Sequence, residues 1–98
     1  MKGKTALITG GTSGIGLAAA RLFLARGVNV AIAGRSAERG EEARRALLEN
    51  VSAGQGAGRV QYFSVDVRSS AACRKLVEDT VDIFGGIEVL VNSAGVYL

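Results

Sequence analysis

A glycine-rich stretch, TGGTSGIG at residues 9–16, directly follows the short apolar run 6–8. Glycine adopts positive φ and lacks a Cβ, so such a loop lets an anionic group approach the backbone amides. Where the loop opens into a helix, free N–H groups and the helix dipole favour a phosphate. The stretch therefore predicts a phosphate-binding loop, although its spacing, Gly10-x3-Gly14-x-Gly16, differs from the common G-x-G-x-x-G arrangement. The alternative is a tight strand-to-helix turn that binds no ligand.

A basic residue stands where many dinucleotide-binding chains carry an acid. The ribose 2′-hydroxyl is usually bound by Asp or Glu about 20 positions beyond the loop, but this sequence has Arg35 there and no carboxylate until Glu38. A guanidinium binds a 2′-phosphate through charge-assisted hydrogen bonds, and Ser36, Thr12 and Ser13 are possible additional donors. This pattern predicts NADP(H) in preference to NAD(H). The alternative is that Arg35 is a solvated loop cation.

The elements that must position these residues follow from the apolar pattern. Short runs rich in Val and Ile predict strands at residues 5–9, 28–33, 60–65 and 87–91. The segments between them carry apolar residues at helical spacing and predict three amphipathic helices. These residues are Ile15, Ala18, Ala19, Leu22 and Phe23 in the first helix, Ala43, Leu47 and Val51 in the second, and Cys73, Leu76, Val77, Val81 and Phe84 in the third. Ser36 is the predicted N-cap of the second helix.

Strand and helix alternate along the chain, which predicts a parallel sheet. The continuous apolar character of the first, second and fourth strands indicates strands buried on both faces. Right-handed crossovers and the doubly wound order give the spatial order 3-2-1-4. The predicted fold class is therefore α/β, a three-layer Rossmann-like half domain with helices on both faces. Its usual ligand crevice lies between strands one and four.

Composition narrows the function classes. A chain of 98 residues fits one domain, and 12 Lys and Arg against 9 Asp and Glu give a net charge of only +3. The basic residues are scattered, which argues against nucleic acid as a partner. No stretch is long enough to span a bilayer and the first apolar run is too short for a signal sequence, so a cytoplasmic protein without a membrane partner is predicted. One cysteine and no histidine exclude a structural zinc site, and no metal site is predicted.

Three motifs in order resemble those of the short-chain dehydrogenases/reductases. TGGTSGIG is similar to their TGxxxGIG cofactor loop, and LVNSAG at residues 90–95 resembles their NNAG motif, with Ser93 in place of the second Asn. The pair Asp66-Val67 after the third strand matches an acidic residue that these proteins place near the adenine ring. Together the motifs cover nearly the whole chain.

The resemblance implies individual roles for these residues. The cofactor loop would be the turn formed by Gly10, Gly14 and Gly16, with Ile15 near the pyrophosphate. Asp66 would accept from the adenine amino group, and Val67 would lie along the ring. The residues near the ribose would be Asn92, Ala94 and Gly95. Two structural alternatives stay open, because Asp66 could cap the third helix and Asn92 could tie neighbouring strands together. For both residues, a structural role and a ligand role can coexist.

The catalytic segment of the family is not present in these residues. The resemblance implies general acid catalysis by the tyrosine of a Tyr-x-x-x-Lys segment, but Tyr62 is followed four positions later by Asp66, and Tyr97 has no lysine partner. No catalytic residue is predicted, and Cys73, on the apolar face of the third helix, is interpreted as a buried thiol in preference to a nucleophile. Residues 1–98 are interpreted as a single truncated NADP-binding Rossmann-like domain. This domain is either a fragment of a reductase or a stand-alone protein. The sequence does not indicate a substrate.

Three functions are compatible with this sequence. The first is the NADP(H)-binding portion of a short-chain oxidoreductase, and the second is a non-catalytic nucleotide-binding module. The third is an assembly protein that uses the edge of the fourth strand. The uncharged apolar residues 89–91 are the kind of edge that pairs with another chain. We therefore expect a homodimer or higher assembly that covers the fourth strand and the third helix.

Overall fold

The computed structural model describes residues 3–10, 14–49 and 58–92. Strands and helices alternate in the predicted order. They are β1 (Thr5–Thr9), α1 (Gly14–Ala25), β2 (Asn29–Gly34), α2 (Ala37–Glu49), β3 (Val60–Ser64), α3 (Ser70–Phe84) and β4 (Val89–Asn92). The four strands form one parallel sheet in the order β3-β2-β1-β4. The predicted fold class and strand order are thereby confirmed.

The sheet register brings the carboxyl ends of β1, β2 and β4 to one edge. β1 pairs with β2 from Thr5 opposite Asn29 to Thr9 opposite Ala33. On its other side, β1 pairs with β4, and Thr9 lies opposite Asn92. Loops that follow parallel strands meet at this edge, where open α/β sheets bind their ligands.

Two apolar layers form the core, one on each face of the sheet. Successive strand residues point to opposite faces, so Ile8 of β1 packs toward α1 and α2 while Leu7 packs toward α3. The first layer contains Ile8, Ala20, Leu24, Val30, Ile32, Ala43 and Leu47. The second and smaller layer contains Leu7, Ala31, Ala33 and Leu76. The helices therefore cover both faces, as predicted.

The predicted inner face of α1 is correct only in part, because Ala19 and Phe23 pack against the first apolar layer whereas other predicted residues are exposed. Ile15 is 77% exposed and Leu22 is 59% exposed. The buried residues of this helix are Gly16, Ala20 and Leu24. Apolar residues occur on nearly every side of GIGLAAARLFLA, so periodicity could not select the face. The helix can approach the sheet closely, because Gly16 has no side chain and Ala20 has only a methyl group.

β4 and α3 are less buried than the sequence predicted. Within the described ranges β4 pairs with β1 alone, and Leu90 on this strand is 66% exposed. On α3 the buried residues are Leu76 and Thr80, whereas Val77 and Val81 are exposed. The threonine tolerates burial because its hydroxyl donates to the carbonyl oxygen of Leu76 at 2.7 Å.

Serine side chains cap two of the helices. The predicted cap of α2 is confirmed, because Ser36 Oγ accepts from the backbone N–H of Arg39 at 3.1 Å. On α3 the cap is Ser69, which accepts from the N–H of Ala72 at 3.2 Å. The suggestion that Asp66 caps this helix is therefore wrong. Among the helices of the described ranges, none has the length and apolar character needed to cross a membrane.

Candidate functional site

A cavity of about 280 Å³ opens where β1 and β2 end. Its lining combines small backbone-exposing residues, two apolar side chains and two arginines: Gly10, Ala33, Gly34, Arg35, Ser36, Arg39, Val65 and Val67. Four of these were predicted site residues, namely Gly10, Arg35, Ser36 and Val67. The fold thus brings together the start of the glycine loop, the end of β2 and the segment after β3.

Two glycines border this edge with left-handed backbone. Gly10 has φ +74° and donates its N–H to the carbonyl oxygen of Ala33 at 2.8 Å, which holds the end of β1 against β2. Gly14 has φ +59°, and a Cβ at this position would meet nothing within 4 Å. Backbone conformation, and not packing against the described residues, is therefore the reason for glycine at position 14. Gly16 differs, since it is buried in α1 against the sheet.

The cationic side of the cavity carries two guanidinium groups. Arg35 and Arg39 are exposed, and neither forms an ion pair with any residue in the described ranges. The ion pairs found there are Arg44–Glu41, Arg68–Asp66 and Lys75–Asp79. The backbone of Arg35 is fixed, because its carbonyl oxygen accepts from Ser64 Oγ at 3.3 Å. This arrangement leaves net positive charge at the cavity rim.

Sequence reasoning missed Arg39, although a signal was present. The residue lies four positions after Arg35 and within the first turn of a helix that was predicted to begin after Ser36. Residues in the first turn of a helix lie near the residues that precede it, so Arg39 could have been assigned to the same site.

A tyrosine from β3 fixes the start of α2. The hydroxyl of Tyr62 donates to the carbonyl oxygen of Ser36 at 2.6 Å. Burial raises the pKa of Tyr62 above the ordinary tyrosine value, so the hydroxyl keeps its proton and remains a donor. The ring lies against Gly40 of α2, where a Cβ would come within 2.0 Å of ring carbons. This contact, also missed from the sequence, holds the first turn of α2 beside the cavity.

Asp66 lies in a neighbouring cavity of about 230 Å³ between β3 and α3. Its carboxylate accepts from the backbone N–H, Nε and Nη2 of Arg68 at 3.0, 3.0 and 3.1 Å. The hydrogen bonds from Arg68 lower the pKa of Asp66 to about 2, and the charge of Arg35 contributes in the same direction. The carboxylate is therefore ionised at neutral pH and acts as an acceptor.

Asn92 ties two strands together at the crevice between β1 and β4. Thr9 Oγ1 donates to Asn92 Oδ1 at 2.9 Å, so Asn92 has the strand-tying contact expected of its structural role, which a ligand role can accompany. Both side chains border a third cavity of about 300 Å³. Cys73 lies in the same cavity, half-buried, with its Sγ 3.3 Å from the carbonyl oxygen of Val67. The thiol packs at the start of α3, but it is half-buried and borders this cavity, so the predicted full burial is not observed.

The remaining predicted site residues divide into two groups. Ile15 is exposed at the start of α1. Four others lie outside the described residues: Thr12, Ser13, Ala94 and Gly95. The described residues thus include both ends of the predicted loop, at Gly10 and Gly14, and the part of the predicted crevice that ends at Asn92.

The sequence matches the family model described as short chain dehydrogenase over residues 4–98. The chain belongs to this family. Among its relatives, the NADP-dependent (R)-specific alcohol dehydrogenase of Lentilactobacillus kefiri is 38% identical over 96 residues, which are 98% of this chain. The D-beta-hydroxybutyrate dehydrogenase of Cupriavidus necator is 40% identical over the same share of the chain.

The solved structures show the same short-chain dehydrogenase fold. The crystal structure of L-sorbose reductase from Gluconobacter frateurii, complexed with NADPH and L-sorbose, superposes with a TM-score of 0.85. It is 40% identical, and the match covers 98% of this chain. The chain spans 35% of the length of each of these three relatives.

Proposed function

We propose that this chain is the NADP(H)-binding portion of a short-chain dehydrogenase and that residues 1–98 form a single nucleotide-binding unit. The observation that carries the proposal is the cavity lined by both the left-handed Gly10 and Arg35, which forms no ion pair with another described residue. Glycine backbone, apolar walls and guanidinium charge fit an adenosine nucleotide that bears an additional phosphate. The NADP dependence of one relative and the NADPH complex of another support this choice.

Each residue near the cavity has a proposed part in holding the cofactor. The glycine loop, including Gly10, Gly14 and Ile15, would admit the pyrophosphate, with Thr12 and Ser13 as donors. Arg35 and Ser36 would bind the 2′-phosphate. Val67 would contact the adenine and Asp66 its amino group, while Asn92, Ala94 and Gly95 would lie near the ribose. Gly16 would contribute by letting α1 approach the sheet.

The bound cofactor supplies hydride-transfer chemistry between its nicotinamide and a carbonyl or alcohol. The Tyr-x-x-x-Lys segment of the family is not among these 98 residues. The role proposed for this chain is therefore to bind and orient the dinucleotide. Proton transfer by a positioned side chain commonly contributes about 10²–10⁴-fold to rate, and no described residue is assigned that task.

Calorimetric titration with NADPH and NADH at fixed salt tests the cofactor proposal. We expect Arg35→Ala to weaken NADPH binding about tenfold, or about 1.4 kcal/mol, and to leave NADH binding nearly unchanged. This figure is at the low end for charge-assisted hydrogen bonds because solvent screens an exposed guanidinium. Arg45→Ala, an exposed arginine of α2 outside the cavity, is the matched control. Equal affinity of the folded wild type for both cofactors would contradict the proposed NADP(H) preference.

A second proposal concerns association between copies of the chain. Val77 of α3 and Leu90 of β4 are exposed, and both border the third cavity. We name these two residues the β4–α3 surface. An exposed apolar surface beside a sheet edge favours pairing with another copy. A cytoplasmic location stays a prediction from the sequence.

A further inference from the structure

We infer that Arg39 is a second specificity-determining residue, which binds the 2′-phosphate together with Arg35. The inference rests on the proposed function, since it concerns the same cavity. It goes further by assigning cofactor discrimination to a residue within α2 and not only to the end of β2. The motifs that resemble the family do not include this position.

Two observations support a role for Arg39 in the cavity: its position in the lining, and the lack of an ion-pair partner among the described residues. It lines the 280 Å³ cavity with Arg35 and Ser36. Two residues further along α2, Glu41 is already engaged by Arg44 at 2.8 Å. No ion pair joins Arg39 to another described residue, so its guanidinium is available to an anion in the cavity.

The backbone that carries Arg39 is held in place from two sides. Its N–H donates to Ser36 Oγ at 3.1 Å, and the carbonyl oxygen of Ser36 accepts from the hydroxyl of Tyr62 at 2.6 Å. That carbonyl oxygen also accepts from the N–H of Gly40 at 3.0 Å. A fixed backbone lowers the conformational entropy that the arginine loses when it binds a ligand.

The charge of the ligand provides the reason for two arginines. A phosphate monoester carries about −1.5 to −2 charges at pH 7 and offers three acceptor oxygens. One guanidinium satisfies two oxygens at most through a bidentate contact. A second guanidinium that lines the same cavity would neutralise the remaining charge and bind the third oxygen.

The test compares Arg39→Ala and Arg39→Lys with the control Arg45→Ala in the full 98-residue chain. Each protein is titrated with NADPH, NADH, adenosine 2′-monophosphate and adenosine 5′-monophosphate. We expect Arg39→Ala to weaken NADPH and the 2′-monophosphate about five- to tenfold and to leave NADH and the 5′-monophosphate unchanged. Arg39→Lys should restore part of the loss, because lysine keeps the charge but lacks the planar fork.

The outcomes separate this inference from the proposed function. If the wild type selects NADPH and Arg35→Ala weakens it while Arg39→Ala does not, the inference is overturned and the proposed function stands. If the folded wild type binds none of the four ligands, both are overturned. Equal losses for NADPH and NADH in Arg39→Ala would also overturn the inference, since they indicate a structural effect. Circular dichroism of each variant identifies any loss caused by unfolding.

Discussion

The carboxylate of Asp66 and the guanidinium of Arg68 form a two-pronged contact directly after β3. Their side chains meet through Nε to Oδ1 and Nη2 to Oδ2. The backbone N–H of Arg68 adds a third hydrogen bond, so the local turn and the ion pair reinforce each other. This contact explains how Asp66 can be ionised and oriented without acting as a helix cap.

Removal of Arg68 should raise the pKa of Asp66. The folded-state value of about 2 lies below the ordinary value of 3.8, so the contact stabilises the fold above about pH 3.8. This contribution is lost as pH falls through 2. Carbon-13 NMR titration of the carboxyl group should show the midpoint of Asp66 shifted toward 3.8 in Arg68→Gln. The control Arg74→Gln, an exposed residue of α3, should keep the wild-type midpoint. The same low midpoint in both variants would show that Arg68 is not the cause.

At the level of elements, the position of α2 depends on the lack of a Cβ at Gly40 as much as on hydrogen bonds. The ring of Tyr62 on β3 occupies the space beside Gly40, and its hydroxyl reaches past the glycine to Ser36. Glycine inside a helix ordinarily costs about 1 kcal/mol relative to alanine. At this position the ring contact and the tyrosine hydrogen bond offset that cost.

Gly40→Ala should therefore destabilise the protein despite its better helix propensity. The added methyl group displaces an aromatic ring, and overpacking of this kind costs about 1–3 kcal/mol. Loss of the Tyr62 hydrogen bond adds about 1 kcal/mol, while helix propensity returns about 1 kcal/mol. Urea denaturation should show a net loss of about 1–3 kcal/mol. Gly86→Ala is the matched control, because its Cβ meets only a carboxylate oxygen of Glu88 at 3.5 Å. Unchanged stability in Gly40→Ala would mean that the ring moves without cost.

The sequence predicted the strands and helices better than it predicted which face of each helix is buried. Strand runs such as 5–9 were readable because each is a short stretch of apolar and β-branched residues next to turn glycines. The inner face of α1 was only partly readable, since an almost uniformly apolar helix has no dominant period. Arg35 and Ser36 were assigned from their position after a strand. Tyr62 and Gly40 were missed because their contact joins residues that are 22 positions apart, which no local pattern records.

For the molecule as a whole, the two sides of the sheet differ in how completely they are covered. Among the described residues, α1 and α2 bury the larger apolar layer, whereas α3 is the one helix that covers the smaller layer. On that side Leu90 remains 66% exposed and Val77 is 45% exposed. This asymmetry favours association through the β4–α3 surface.

Light scattering at micromolar concentration tests the association. We expect the wild type to be a dimer or a higher assembly, and we expect Leu90→Lys to shift it toward monomer, because a buried unpaired charge opposes pairing. Leu22→Lys is the control, since Leu22 is 59% exposed but lies on α1. A monodisperse wild-type monomer would rule out this mode of association.

The placement of β1 between β2 and β4 also bears on how the chain folds during synthesis. Thr9 pairs with Asn92, so one side of β1 stays without its partner strand until β4, near the end of these 98 residues, has been translated. Until then β1 has an unpaired row of backbone groups, which is a template for the wrong partner. Closing so long a loop is slow compared with forming the helices. A ribosome-bound chain that has emerged only through α3 is therefore the species in which we expect chaperone contact to be greatest.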